Sequence, residues 1–343
     1  MVLLGMLHHR AHPKDVQKAY AYAAVAKVEG VDFFYFSPGK VNIHKQSIMG
    51  KVYDKGNWVD KEFPFPDVIF NASGPATSKA EDIVNYLYDR IPFTSHSIGN
   101  KMSVYKRIKE GGEYEPYLIP SETYKDFETF DIFANRFDKI VMKPVSGHQG
   151  GGILFIEREG KAEYKINENG ETNIYSEKAL KKLLMEHTKE QEYLIQPFIM
   201  CKIKSGHVYD FRLHVQKNGE GRWVITSIYP RIGQLGTFTS NMSNGGYTAY
   251  LKHFLKNEFG NKWFDVYQQL KWFSLNFPVH FETLYKGDSF DELGIDIGVD
   301  QKRKLWIFEV NWRPGAPMIF DLELDVAKNT IQYAKYLAAA NKN

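Results

Sequence analysis

The sequence predicts a mixed α/β (α+β) protein: an N-terminal parallel α/β domain, then two further lobes whose strands are joined by hairpins. Three observations predict it. Strands and helices alternate over the first 99 residues, the pattern of parallel βαβ units. Beyond residue 138, apolar runs meet at Asn169-Gly170 and Asn218-Gly219, dipeptides that favour tight hairpin turns. Residues 292–315, ELGIDIGVDQKRKLWIFEVNWRPG, read as a third hairpin, with a polar turn at 300–304 between two arms.

The elements follow in order. Residues 2–7 read as a buried strand, and residues 8–12 as a polar loop. Pro13 then suits the first turn of a helix that runs over 14–29 and ends at Gly30. Residues 31–36 make a second strand, 41–60 hold at most a short hairpin, and 67–70 make another short strand. A helix reaches about residue 90, and residues 92–95 read as a strand. His8, His9, Arg10, Asn71 and Ser73 fall in loops where parallel sheets bind ligands. The histidines fit surface polarity better than a metal site, since no acid or thiol is spaced to complete one.

Asn100 can cap a helix over 101–110, stopped by Gly111-Gly112, and another helix covers 128–137. KIVMKPVSGHQGGGILFIE, residues 139–157, reads as strand, glycine-rich loop, strand. Glycine lets a backbone approach phosphate oxygens and turn its N–H groups toward them. Lys143 stands just before the loop, which holds Gly147, Gly150, Gly151 and Gly152. The loop opens no helix and no Lys-Ser/Thr follows it, so this is not the Walker pattern. A flexible turn explains the glycines but not the adjacent Lys-Pro. Ser176 caps a helix to about 187, and EYLIQPFI, residues 192–199, reads as a strand leading into the last lobe. In that lobe Asp210, Arg212 and His214 alternate along one strand and so share a face, and Arg231 sits on the next. Helices over 247–258 and 261–278 precede the C-terminal hairpin, and one over 321–340 follows it.

On that hairpin Asp296 lies on the first arm, and Glu309 and Asn311 lie two apart on the second. If their faces pair, two carboxylates and an amide oxygen converge, a donor set suited to Mg²⁺. An exposed hairpin with incidental acids explains the same residues.

Composition bounds the partners. The 343 residues are 43% hydrophobic and 25% charged, enough for two or three subdomains with substantial cores. The net charge of +3 gives no footprint for nucleic acid. Cys201 is the only cysteine, so no intramolecular disulfide forms and a reducing, cytoplasmic setting is expected. Neither a signal-peptide pattern at residues 1–10 nor an apolar run of membrane-spanning length is present.

In this order the motifs resemble those of the ATP-grasp carboxylate–amine ligases. They are Lys101 at a helix start, Lys143-Pro144 before a glycine loop, Gln196-Pro-Phe-Ile199, Asp210-Phe-Arg212, Arg231, Ser240-Asn241-x-x-x-Gly245-Gly246, Gly294-x-Asp296, and Glu309-x-Asn311 followed by Pro314-Gly315. The segment from 231 to 246 looks like that of ligases that add glutamate to a ribosomal protein. The whole chain looks most like the YheC/YheD endospore coat-associated branch.

The resemblance implies an ATP-grasp fold with an N-terminal parallel α/β domain at 1–99, a central lid at 100–199 and a C-terminal mixed-sheet domain at 200–343. It implies ATP between two antiparallel sheets and two magnesium ions at Asp296, Glu309 and Asn311. Lys101, Lys143 and the loop glycines would serve the phosphates, with Asn241 nearby. Gln196, Pro197, Phe198 and Ile199 would receive the adenine, and Arg212 and Arg231 would face the transferring phosphoryl and acyl groups. The implied substrates are a carboxylate and an amine, small or peptidic, in a protein associated with the spore coat. The chain departs from many relatives in two places: no acid follows the hinge in Met200-Cys-Lys-Ile-Lys204, and Pro197 replaces an acidic hinge residue and removes one backbone donor. A scaffold that keeps the fold without turnover, and a phosphotransferase acting on a hydroxyl, are the alternative functions.

Overall fold

The computed structural model of the chain describes residues 1–146, 152–160, 162–168, 170–238, 240, 245–287, 289–315 and 323–341. Among them the strands form three sheets.

The first sheet contains β1 (Val2–Leu7), β2 (Val31–Phe36), β3 (Val41–Asn42), β4 (Ser47–Asp54), β5 (Asn57–Pro64) and β6 (Val68–Asn71). β1 lies between β2 and β6, parallel to both, and β4 extends the sheet antiparallel to β2. Helix α1 (Lys18–Val28) covers one face with Ala19, Tyr22 and Ala26, while α2 (Ser78–Tyr88) covers the other with Val84 and Leu87. β4 and β5 pair over eight residues each, a longer hairpin than the sequence suggests. β5 is mostly exposed and charged, so it carries little of the apolar alternation that marks a strand. The strand expected at 92–95 makes only one parallel bridge, Phe93 to Ile69. Pro92 lacks an N–H to extend the pairing.

Helix α3 (Lys101–Gly111) follows, with Asn100 Oδ1 accepting from Ser103 N at 2.9 Å. Its Val104 and Ile108 join the core of the third sheet.

The second sheet contains β7 (Glu122–Thr123), β8 (Lys139–Pro144), β9 (Leu154–Arg158), β10 (Glu163–Glu168), β11 (Glu171–Ser176) and β12 (Tyr193–Pro197), all antiparallel in the order β11-β10-β9-β8-β12-β7. Helices α4 (Phe127–Ala134) and α5 (Glu177–Thr188) bury Phe130, Phe133, Leu180 and Leu184 against Ile140, Met142, Leu154 and Ile156. Strand alternation then turns Val141, Lys143 and Phe155 to the opposite face.

The third sheet contains β13 (Tyr209–Lys217), β14 (Trp223–Ile232), β15 (Tyr247–Thr248), β16 (Glu292–Val299) and β17 (Leu305–Trp312), antiparallel in the order β15-β14-β13-β16-β17. Helices α6 (Leu251–Phe259) and α7 (Trp263–Thr283) pack Leu255, Val266, Leu270, Phe273 and Phe277 on Phe211, Leu213, Val215, Leu293 and Ile295. The other face is polar: Asp210, Arg212, His214 and Gln216 from β13 meet Glu292 and Asp296 from β16. Residues 247–248 pair with β14 rather than opening a helix. α7 continues through Pro278 because Phe281, in its last turn, is fully buried. Tertiary burial there outweighs a proline's preference to end the helix.

Helix α8 (Glu323–Ala340) lies against α1 and sets Ala327, Ile331 and Ala334 in the first sheet's core. Trp312 Nε1 donates to Ser95 Oγ at 2.8 Å and Arg313 Nη2 to Thr94 Oγ1 at 2.9 Å, so the end of β17 is tied to the N-terminal domain.

Candidate functional site

The second and third sheets face each other across an apolar slot of about 650 Å³. Val141, Phe155, Phe198, Ile199, Tyr209 and Phe238 line it, with Lys143 and Gln196 also on its wall. Phe155 stacks on Phe238 at 4.8 Å between ring centroids, and Phe198 meets both rings near edge-on. A smaller cavity shares Lys143 with the slot and shares Lys101 and Glu309 with an open cleft of about 1770 Å³. That cleft also exposes Asn100, Arg212, Asn311 and Arg313.

Register explains how the hairpin serves both spaces. Ile297 pairs with Ile307, but Asp296 pairs with Glu309, so Phe308 is the extra residue of a β-bulge. Phe308 and Glu309 consequently both reach the cavities, flanked on their wall by Ile307 and Val310, which also belong to the core cluster.

The two lysines converge on this point from different elements. Lys101 Nζ is 3.7 Å from Glu309 Oε1. Lys143 Nζ donates to the Phe308 carbonyl at 3.5 Å. Burial pushes Lys143 down to about 8, with Lys101 adding to that effect and Glu309 and Asp296 opposing it.

Two rows of charge cross the polar face of the third sheet. In one, Asp210 pairs directly with Arg231; in the other, Tyr229, Arg212, Asp296 and Glu309 stand side by side on successive strands. Arg231 Nε donates to Asp210 Oδ1 at 2.7 Å and its Nη2 to Oδ2, a bidentate pair. The same Nη2 is 3.0 Å from Asp296 Oδ2. Arg212 Nε donates to Asp296 Oδ1 at 2.5 Å, and Asn311 Nδ2 to Asp296 Oδ2 at 3.1 Å. Burial alone would raise the Asp296 carboxyl, but the two guanidinium groups hold it below its ordinary range.

Asp296, Glu309 and Asn311 thus share a face, as their spacing suggests, and their oxygens are the donor type magnesium takes. Asp296 is already engaged by arginines, however, and no group of three or more His, Cys, Asp or Glu among the described residues forms a metal site. The set fits a cation once Asp296 exchanges those partners.

Other expected residues fall as follows. Gln196 Oε1 accepts from Ser121 Oγ at 3.3 Å on the slot wall. Pro197 is buried in β12 opposite Ile140, and the Phe198 amide donates to the Lys139 carbonyl at 2.9 Å. Gly152 has a positive φ of 71° beside Tyr193. Gly147, Gly150, Gly151 and Asn241 lie outside the described residues. His214 is buried and its Nε2 bonds Glu292 Oε1 at 2.8 Å. His8 corrects the surface reading of the histidines: it is 7% exposed, lies against His9 and Tyr35, and accepts from the Arg10 amide. Burial, and then the neighbouring His9, Lys18 and Arg10, push it down to about 4.

Sequence reasoning missed Phe155, Tyr209 and Phe238, and it placed Asp210 on the right face without its pairing to Arg231. Phe155 was findable: in ILFIE, Leu154 and Ile156 face the core, so Ile153 and Phe155 face the slot. Phe238 follows β14 in a turn-rich stretch with no periodic signal.

Two antiparallel sheets enclosing a slot, with a lysine of one reaching the edge of the other, define an ATP-grasp fold. A model of the YheC/D-like ATP-grasp family matches residues 90–337, and the chain belongs to that family. It is 26% identical over 323 residues to the endospore coat-associated protein YheD of Bacillus subtilis (strain 168), covering 89% of this chain and 70% of that one. YheC of the same organism is 24% identical over 335 residues, covering 93% and 90%. Among solved structures, the D-alanine-D-alanine ligase from Coxiella burnetii superposes with a TM-score of 0.58 at 12% identity, covering 100% of this chain and 96% of the other. A Chryseobacterium gregarium RiPP-associated ATP-grasp ligase, in complex with ADP and a leader and core peptide, gives 0.51 at 13% identity, covering 100% and 98%. These structural likenesses bear on the fold. No helix among the described residues is long and apolar enough to cross a membrane.

Proposed function

We propose that this protein is an ATP-dependent carboxylate–amine ligase that works through an acyl phosphate and releases ADP and phosphate. The observation that carries the reading is a continuous set of spaces: an aromatic-lined slot with Lys143 on its wall, a cavity shared by Lys143 and Lys101, and a cleft shared by Lys101 and Arg212. Two solved structures of like fold are ligases by name, which supports it.

In this reading the adenine enters the slot between Phe155, Phe198 and Ile199, next to Gln196 and Pro197. Lys143 and Lys101 hold the phosphate chain with the 147–152 glycine loop, and Asn241 assists. Asp296, Glu309 and Asn311 would hold two magnesium ions. Bound there, the metal supplies neutralisation of phosphate charge. A substrate carboxylate oxygen attacks the γ-phosphorus in line, and the bond to the β,γ-bridging oxygen breaks as ADP leaves. The amine nitrogen then attacks the acyl carbon, its C–O bond to phosphorus breaks, and the amine gives up a proton. Arg212 stabilises the tetrahedral oxyanion and Arg231 the phosphoryl group; both stand on strands of the sheet rather than on loops. The names of the Bacillus relatives, endospore coat-associated proteins, support a role in association with the spore coat.

The test is a screen of amino acids, peptides and small acids for ADP release, run with and without an amine and read by product mass. Amine-dependent ADP with a product lighter than its two substrates by one water supports the ligase. ADP formed on a hydroxyl substrate without an amine would replace it with a phosphotransferase. Nucleotide binding with no turnover on any substrate would replace it with a scaffold.

A further inference from the structure

The two arginines of the third sheet look equivalent in sequence but are held differently. We propose that Arg231 is a fixed guanidinium and Arg212 a releasable one, that Asp210 is the positioning residue that makes the difference, and that a divalent cation arriving at Asp296 frees Arg212. The inference rests on the reading of Asp296 as a metal ligand.

Asp210 and Arg212 lie two apart on β13, so their side chains share a face. Each pairs directly with an opposite charge on a neighbouring strand, Asp210 with Arg231 and Arg212 with Asp296. A symmetric pair of ion pairs would result, but Arg231 also reaches Asp296. Arg231 therefore has two carboxylates, one of them bidentate. Among the described residues Arg212 has only Asp296.

Asp296 is the shared element. Its Oδ1 accepts Arg212 Nε, and its Oδ2 accepts Arg212 Nη2 at 3.4 Å, Asn311 Nδ2 and Arg231 Nη2. A cation that binds this carboxylate through both oxygens competes with those donors, which crowd Oδ2 and hold Oδ1 through Arg212 Nε. When it does, Arg231 keeps Asp210, while Arg212 is left without a carboxylate. A desolvated guanidinium without a counter-ion is unfavourable, so Arg212 moves toward the nearest available anion. It already borders the open cleft.

Gly294 leaves room for the Arg212 guanidinium in its resting position. A Cβ there would lie 2.9 Å from Arg212 Nη1 and against Pro314. Metal binding and the release of Arg212 into the cleft would thus be coupled, and Arg212 would stay neutralised while the site is empty.

The experiment reads the arginine Nε–H groups of the full-length protein by ¹⁵N NMR. The signals are assigned from Arg212→Lys and Arg231→Lys proteins, and ADP binding is followed separately by calorimetry. In the metal-free protein both Nε–H groups should exchange slowly with water. MgADP should shift the Arg212 signal and speed its exchange about tenfold or more, leaving Arg231 unchanged; ADP with EDTA should do neither. Without any ligand, Asp296→Asn should loosen Arg212 but not Arg231, and Asp210→Asn should loosen Arg231. Equal responses of the two arginines in either arm, or an unmoved Arg212 while calorimetry records MgADP binding, would overturn the proposal. Absence of ADP binding would sink the nucleotide reading and the metal-release step, while the two asparagine variants would still decide the asymmetry.

Discussion

Lys143 Nζ, on the second sheet, donates to the main-chain carbonyl of Phe308 at the bulge of the third. A single ammonium thus spans the two halves of the slot at the point where a phosphate chain would emerge. Its partner is a neutral carbonyl at 3.5 Å, so exchange for a phosphate oxygen is favourable.

Lys143→Met should therefore fold with unchanged thermal stability yet bind ADP about 10- to 100-fold more weakly, the loss expected for one charge-assisted hydrogen bond. Calorimetric titration of both proteins checks this. An unchanged affinity would remove Lys143 from the nucleotide site.

Gly294→Ala should destabilise the protein by about 1–3 kcal/mol, since the new methyl would meet Pro314 and the Arg212 guanidinium. The measurement is the urea midpoint. A midpoint equal to wild type would mean that Arg212 already has somewhere else to go.

Arg313 is 6% exposed on its side chain and lies 2.7 Å from Asp291 and 3.5 Å from Glu292, both buried. Arg313→Ala should cost about 3–5 kcal/mol, because it leaves buried acids with one cation fewer. Trp312→Phe, which removes only the bond to Ser95, should cost about 1 kcal/mol. Comparable losses in urea denaturation would contradict this ranking.

The same acids give a pH signature. Burial, set against Arg313, raises Asp291 from 3.8 to about 6. The native state then binds its proton more tightly than the unfolded chain, so this contribution falls as pH rises from about 4 to 6. Glu292 is the reverse: burial would raise it, but His214 and Arg313 hold it at about 2, so its contribution is lost as pH falls below about 4.5. His8, lowered to about 4, also loses stability on acidification, from about 6.5 downward. The difference between wild type and Asp291→Asn isolates the first group. Wild type should lose stability relative to the variant between pH 4 and 6, by at most about 3 kcal/mol. A flat difference across that window would show that Asp291 is not raised.

How much of this was legible depended on periodicity. The C-terminal hairpin could be read closely, because its alternating first arm, polar turn and apolar return define register without tertiary knowledge. The DFR strand likewise put Asp210, Arg212 and His214 on one face. The bulge at Phe308 could not be read, since skipping one residue leaves no local mark. Nor could the partners of Asp296: spacing brings it toward Glu309 and Asn311, but only the order of strands in the sheet brings two arginines to it. The mostly exposed positions of β5 hid its length, so that the sequence shows only a short hairpin there; Phe238 stands outside any strand or helix, where no periodicity marks it.

The central claim is that a carboxylate is activated at the terminal phosphorus of ATP. Hydroxylamine is small and nucleophilic enough to stand in for the amine. With the full-length protein, ATP, magnesium and whichever acid stimulates turnover, hydroxamate should form in step with ADP, and both should vanish in Glu309→Gln. AMP in place of ADP, or ADP without hydroxamate from any stimulating acid, would contradict the account.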